Sequence, residues 1–349
     1  MDVILSLPII SYFGAPLMTS WSTSLNLLFF YLTWSTLVLS HGALRIEVAG
    51  TLAVRLALWL APSLAFLAFD TLLPSVAAGL KLYGRASLPP SPRREPAVLA
   101  RRVALALFNL VLLAAAQAAL SAALAALPPA LARAAGHRRP GSPQPPFRAS
   151  TTLPLPWQIV RHLLSLYAAR EVLSYAVHRY LLHGSGPLAR LHTRYAHARR
   201  GGAPYALVTY ADHPLPLLVA RLVPGYLPAA VAVRPHLLTW FLFTALTTVE
   251  ETLSTSGYAA VPGILMAGIA RRTARHYASG GRGNYGPSGL LDWICGTSLG
   301  SDDIVDDVRD EAEKHRLTDR GEDAVRDAGD FVKDGLDGLK KTRKGRRKV

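Results

Sequence analysis

The chain has 349 residues, half of them hydrophobic and only 17% charged, where soluble domains carry about 25% charged residues; that balance points to lipid as the solvent. A single cysteine, Cys295, excludes a disulfide framework and a cysteine-based metal site, so any metal must be held by nitrogen or oxygen, and Cys295 itself reads as a small buried hydrophobe. The formal charge of +15 fits the cytosolic flanks of a membrane protein, and no module interleaving aromatic and basic residues points to nucleic acid.

Along the chain, residues 1–20 lack the positive start and small-residue cleavage site of a signal peptide and are expected to stay in place. Apolar stretches of about 20 residues, the length that crosses a hydrocarbon core, fall at 25–40 with its flanks, at 56–80 interrupted by Asp70 and Pro74, and at 103–127. A fourth, 157–175, carries Arg161, His162, Arg170 and Glu171, so one side of it must face protein or water. Between the third and fourth, 133–150 has the Pro, Gly and Arg content of an irregular linker. Residues 214–233 and 236–249, joined at Arg234-Pro235, read as a helical hairpin whose first member is kinked by its prolines.

Loop 81–102 carries Lys81, Arg85, Arg93, Arg94, Arg101 and Arg102, against Arg133, Arg138, Arg139 and Arg148 in the next one, which makes the former the cytosolic one. Parity then places every histidine motif, and the C-terminus, on that same side. The tail after Ser301 is densely charged, with an apolar stripe Val325, Ala328, Val332, Leu336 and Leu339 at helical spacing, then a basic end from Lys340 to Lys348. It reads as a solvated helix with a basic end, or as a segment drawn to anionic lipid. The expected fold is all-α: a multi-span integral membrane helical bundle with a histidine-rich helical cap in the cytosol. Its expected divisions are 1–150, 151–300 and 301–349.

Five of the 11 histidines, His178, His183, His192, His197 and His213, fall between positions 178 and 213, where even scattering would place roughly one. Metal ligation explains such a cluster, because neutral imidazole is a donor suited to iron, zinc or copper. Members of the pairs 178/183 and 192/197 are each five apart, which on a straight helix separates them by about 140°, so sharing a site requires local unwinding. Gly184-Ser185-Gly186-Pro187 and Gly201-Gly202 supply helix ends just after each pair. Glu171 and Tyr175 lie on the face of His178 and are candidates to orient its ring. His41, His137, His162, His236 and His315 read as structural or solvent-exposed.

The run Tyr175-Ala176-Val177-His178-Arg179-Tyr180-Leu181-Leu182-His183 resembles the first histidine box of the fatty acid hydroxylase/sterol desaturase superfamily. The likeness continues in order at His192 to His197, Asp212-His213-Pro214, Ser256-Gly257-Tyr258, Arg275-His276, Asn284-Tyr285-Gly286 and Leu291 to Thr297. The family's second box is His-x-x-His-His, whose paired positions hold Tyr195 and Ala196 here, with His197 one residue beyond. Thr255 stands where a histidine often precedes Ser-Gly-Tyr, and Arg272 and Arg275 occupy two places of the last box, leaving His276. A positive charge beside a cation argues against a full second site.

The resemblance implies an integral membrane non-haem diiron oxidoreductase of the endoplasmic reticulum. It would use O2 to hydroxylate or desaturate a sterol, fatty acyl chain or sphingolipid drawn from the bilayer, with electrons from a cytochrome b5-type partner. The implied metal ligands are His178, His183, His192, His197, His213 and His276, six where the family has about eight. Asp212, Glu250 or Glu251 are candidate oxygen ligands. The iron count is two by resemblance, and one or none if the departures remove ligands. The rival expectation is a degenerate relative serving as a membrane scaffold or lipid-binding protein. A zinc hydrolase lacks its His-Glu-x-x-His box.

Overall fold

The computed structural model describes residues 21–91, 95–126, 145–198, 204–259, 261 and 264–300. The helical stripe and basic end of the tail, residues 1–20, Gly201-Gly202 and most of the expected linker at 133–150 lie outside them. Contacts divide the chain into two units, Met1–Leu299 and Gly300–Val349, and of the second only Gly300 is described.

The first unit is all-α. Helix α1 spans Trp21–Ser40, α2 Ala43–Leu72 with a π turn at Leu56–Leu60, α3 Pro74–Leu80 and α4 Pro96–Ala125. Helix α5, Pro156–Ala176, runs into a π turn at Val177–Leu182, and α6 spans Pro187–Tyr195. Helix α7 spans Pro214–Val233 and widens into π turns at Leu222–Tyr226 and Pro228–Val233; α8 is Leu237–Ser254, α9 Ile264–Ala278 and α10 Leu290–Ile294. Among the described residues there is no strand, only isolated bridges Lys81–Tyr258 and Arg148–His236. Proline occupies the first turn of α3, α4, α5, α6 and α7, where its missing N–H is not needed.

Among the described residues three helices, α2, α4 and α7, are long and apolar enough to cross a membrane, and Leu25–Ser40 forms a shorter apolar stretch. The protein is therefore a helical membrane bundle. Helices α5 and α8, whose sequences read as a charge-bearing stretch and as a segment short for a full crossing, are not among these three, because buried charge lowers their apolarity. Two boundaries differ from the sequence reading. Helix α4 begins at Pro96 rather than near 103, and α2 at Ala43 rather than near 56, the latter because polar residues that break its apolar pattern find partners inside. Glu47 accepts from Ser121 Oγ at 2.8 Å and from the Tyr226 hydroxyl at 3.0 Å, while Arg55 donates to Gln117 Oε1 at 3.3 Å.

The core has an aromatic centre of Phe147, Tyr226, Trp240 and Phe243, with Phe147 stacked on Trp240 at 4.9 Å. A second cluster joins α2 to α4 through Trp59, Leu110 and Leu113. Trp59 is fully buried, donates through Nε1 to Ala206 O at 3.0 Å and packs edge-on against Tyr210. From α4, Asn109 Nδ2 donates to Tyr210 O at 2.8 Å and to Asp212 O at 2.7 Å. Thus α2 and α4 hold the 204–213 segment, which carries Asp212, over the histidines.

At the far end of α2 lies a buried ion pair. Lys81 Nζ donates to Asp70 Oδ2 at 2.8 Å and to the carbonyls of Ser87 and Ser256 at 3.2 Å, and Tyr258 donates to Asp70 Oδ1 at 2.5 Å. Lys81 is therefore not a free charge on a membrane flank, and Arg102 lines an internal cavity, which removes two of the charges counted for orientation.

Candidate metal centre

Five imidazoles meet at the end of α5. His178 and His183, five residues apart, face each other with ring centroids 4.9 Å apart. The cause is the π turn at Val177–Leu182, where His183 N–H donates to His178 O at 2.9 Å; a π turn closes i to i+5 and so brings such residues onto one face. The unwinding expected from the sequence is thus a widening of the helix itself. Helix α6 supplies His192 from its last turn and His197 just beyond its end, 5.1 Å apart. Helix α9 supplies His276, whose ring lies 4.7 Å from His178, 5.0 Å from His183 and 4.9 Å from His197.

Among the described residues two trios have ligand atoms within 4.8 Å of one another: His178, His183 and His192; and His183, His197 and His276. His183 belongs to both. Three of the five rings are pinned through Nδ1: His178 by Tyr285 O at 2.8 Å, His276 by Gly283 O at 2.7 Å, and His192 by Asp212 Oδ2 at 2.6 Å. A carbonyl or carboxylate on one nitrogen selects the tautomer whose other nitrogen is a bare donor, the arrangement used to aim a metal-ligating imidazole. The inward atoms, Nε2 of His183, His192 and His276 and both ring nitrogens of His197, are buried without a hydrogen-bond partner. Buried polar atoms are normally paired, and metal ions held between these rings would take up one nitrogen of each, so the donor set fits a metal. Burial first, then the charge of neighbouring imidazoles, lowers His178 to about 3, His183 to about 2 and His197 to about 3, and holds His276 well below its ordinary value. These rings are neutral donors at physiological pH.

His213, expected as a sixth ligand, does not join them. It is the N-cap of α7, its Nδ1 accepting from Leu215 N–H at 3.3 Å, and its ring lies edge-on to Tyr195. The expected oxygen ligands are engaged elsewhere. Glu250 pairs with Arg170 at 2.9 Å, and Glu251 with Arg170 and Arg221. Glu171 accepts from Ser288 Oγ at 2.7 Å and from its N–H at 3.2 Å. Asp212 orients His192. Tyr175 does not touch His178; it packs edge-on at 6.4 Å against Tyr285, the residue whose carbonyl does.

The positions that depart from the resembled boxes serve as scaffold. Thr255 bonds Thr209 Oγ1 and Glu251 O, both at 2.7 Å. Arg275 donates to Leu299 O at 2.6 Å, and the Arg272 side chain lies against Gly289. Sequence reasoning gave no role to Asp292, which is fully buried and accepts from Tyr285 N–H, Gly286 N–H and Thr297 Oγ1 at 2.7–2.8 Å. It fixes the loop that presents the Tyr285 and Gly283 carbonyls. The signal was an acid inside an apolar run, Leu291-Asp292-Trp293. Cys295 is exposed rather than buried.

Gly281 brings backbone against the site. Its φ is +89°, and a Cβ there would lie 2.2 Å from His183 Cε1, so Gly281→Ala must displace the ring and adopt a left-handed conformation that costs about 1 kcal/mol. Titration of the purified variant with ferrous iron is expected to show occupancy below half that of wild type; full occupancy would mean that the ring has no such dependence. Asp212→Asn leaves the shape but removes the charge that fixes His192, and is expected to weaken metal affinity about 10–100-fold, read by chelator competition.

A cavity of about 260 Å³ opens onto His178, His192 and His276. It passes Arg170, Arg221, Glu250 and Glu251 and reaches the core aromatics Tyr226, Trp240 and Phe243. A separate surface groove, lined by Arg190, Arg194 and His197, meets the cluster from another side.

Residues 163–297 match the family model described as fatty acid hydroxylase. No solved structure matches the chain.

Proposed function

From a chain whose residues 163–297 form a domain of the fatty acid hydroxylase/sterol desaturase superfamily, we propose a membrane-bound lipid oxidoreductase with iron held by His178, His183, His192, His197 and His276. The observation that supports it is the convergence of buried imidazole nitrogens without hydrogen-bond partners at one end of a cavity reaching the apolar core. Iron, when bound, supplies the activation of dioxygen that an unactivated lipid C–H bond requires.

The chain's own residues supply positioning and exclusion of water. Asp212, Tyr285 O and Gly283 O each hold a proton on Nδ1 of a ring and so keep Nε2 free to ligate. Asp292 holds the loop that carries two of those carbonyls. The aromatic end of the cavity accepts an alkyl or ring system, and burial of the cluster keeps competing water from the reacting carbon. Five rings give one complete trio and leave two for a second ion. The reaction is hydroxylation or desaturation of a sterol, fatty acyl chain or sphingolipid. The setting is the endoplasmic reticulum membrane with the histidines cytosolic, and the electron donor is of cytochrome b5 type.

The second reading, a scaffold that retained the fold, draws on the five converging histidines where the resembled family uses about eight. Metal analysis of the detergent-purified protein, with lipid profiles of cells carrying wild type, a deletion or His178→Ala, separates the two. Bound iron together with a lipid product lost in both the deletion and His178→Ala supports the oxidoreductase. Metal-free protein with unchanged lipids supports the scaffold.

A further inference from the structure

The wall of the cavity beside the histidines carries four arginines, Arg55, Arg102, Arg170 and Arg221, and three acids, Asp212, Glu250 and Glu251. All three acids are taken: Asp212 by His192, Glu250 by Arg170, and Glu251 by Arg170 and Arg221. Arg55 is different. It is only 9% exposed, and among the described residues its hydrogen-bond partner is the neutral Gln117 Oε1, at 3.3 Å. Glu251, whose charge reaches Arg55, is shared between Arg170 and Arg221, so the Arg55 guanidinium is removed from water with no carboxylate hydrogen-bonded to it, which is unfavourable, and unlike lysine it does not relieve that by losing its proton. Its planar fork matches the two oxygens of a carboxylate or phosphate. The same cavity is also lined by Tyr226, Trp240 and Phe243, which suits an apolar body and not a free inorganic anion.

We infer that Arg55 binds the anionic head group, carboxylate or phosphate, of a lipid whose apolar part fills the same cavity. The inference rests on the reading of this cavity as the lipid-substrate site and adds the charge of the substrate to it. Head-group binding here places the reacting carbon at a set distance from the head, since Arg55 and the histidines border one chamber.

The test uses the full-length protein in detergent, freed of metal with chelator, and measures binding of oleate and of oleyl alcohol, which differ only in the head group. Oleate is expected to bind at least about tenfold more tightly, the scale of one desolvated charge-assisted contact. Arg55→Gln removes that preference and Arg55→Lys keeps part of it. Gln117→Glu, which gives Arg55 an internal carboxylate and so leaves no buried charge unpaired, also removes it; this second variant keeps the test valid if Arg55→Gln fails to fold. Equal binding of the two probes by wild type, or a preference that survives both Arg55→Gln and Gln117→Glu, overturns the inference. Displacement of oleate by millimolar inorganic phosphate also overturns it, assigning the site to a free anion. Because the protein is metal-free, the outcome is independent of catalysis. Selective oleate binding in a protein that oxidises no lipid would sink the proposed reaction and leave the subsite standing.

Discussion

His183→Ala is expected to remove metal binding and to lower lipid oxidation by at least about 100-fold, more than the loss of any other single ring. The reason is its membership of both trios: without it His178 and His192 form one pair, and His197 and His276 another, and neither retains a facial set of three. Loss of one ligand exceeds the 10–100-fold cost typical of losing a group that merely orients a ligand. His213→Ala is the matched control, because that ring caps α7 and stands outside the cluster; it is expected to retain metal. Metal content and product formation by both variants, purified side by side, check the ranking. Equal losses in the two would remove His183 from its central place.

The largest expected effect on stability lies at the opposite end of α2. Lys81 and Asp70 have side chains 0% and 1% exposed, and they join the α2–α3 corner to the Ser256–Tyr258 segment, which precedes α9 and its His276. Removing one partner leaves the other charge buried and unpaired, a loss of about 3–5 kcal/mol. Asp70→Ala and Lys81→Ala are therefore each expected to lower the thermal midpoint in detergent by roughly 10 °C. The double substitution Asp70→Leu with Lys81→Met removes both charges and fills the space, and is expected to recover most of that loss. A double variant as unstable as either single one would show that the surrounding hydrogen bonds to Ser87 O, Ser256 O and Tyr258, rather than the pair, carry the effect.

The membrane class and the clustered histidines of 178–197 were legible because both depend on local pattern: apolar length for the spans and crowding of imidazoles for the centre. What the sequence concealed is long-range. Glu47 and Arg55 look like breaks in an apolar run, and only their partners on α4 and α7 make them interior residues. Asp70 reads as an interruption and Lys81 as a loop charge until the fold brings them to 2.8 Å. The pair His178 and His183 carried a legible conflict with straight-helix geometry, and the π turn resolves it. His213 looked equivalent to the other histidines because its neighbour Asp212 does belong to the site; Pro214 starts α7 there and turns the ring into a cap. Glu250 and Glu251 looked free to ligate, and Glu171 free to orient His178, because their partners Arg170, Arg221 and Ser288 lie 30 or more residues away.

X-ray absorption at the iron edge of the purified protein tests the central claim most directly, since it counts nitrogen and oxygen neighbours at the metal itself. Convergence of five imidazoles, with Asp212 held on His192 Nδ1 and Glu250 and Glu251 on arginines, predicts an imidazole-dominated shell that collapses in His183→Ala and persists in His213→Ala. An oxygen-dominated shell, or a spectrum that His183→Ala leaves unchanged, would contradict it.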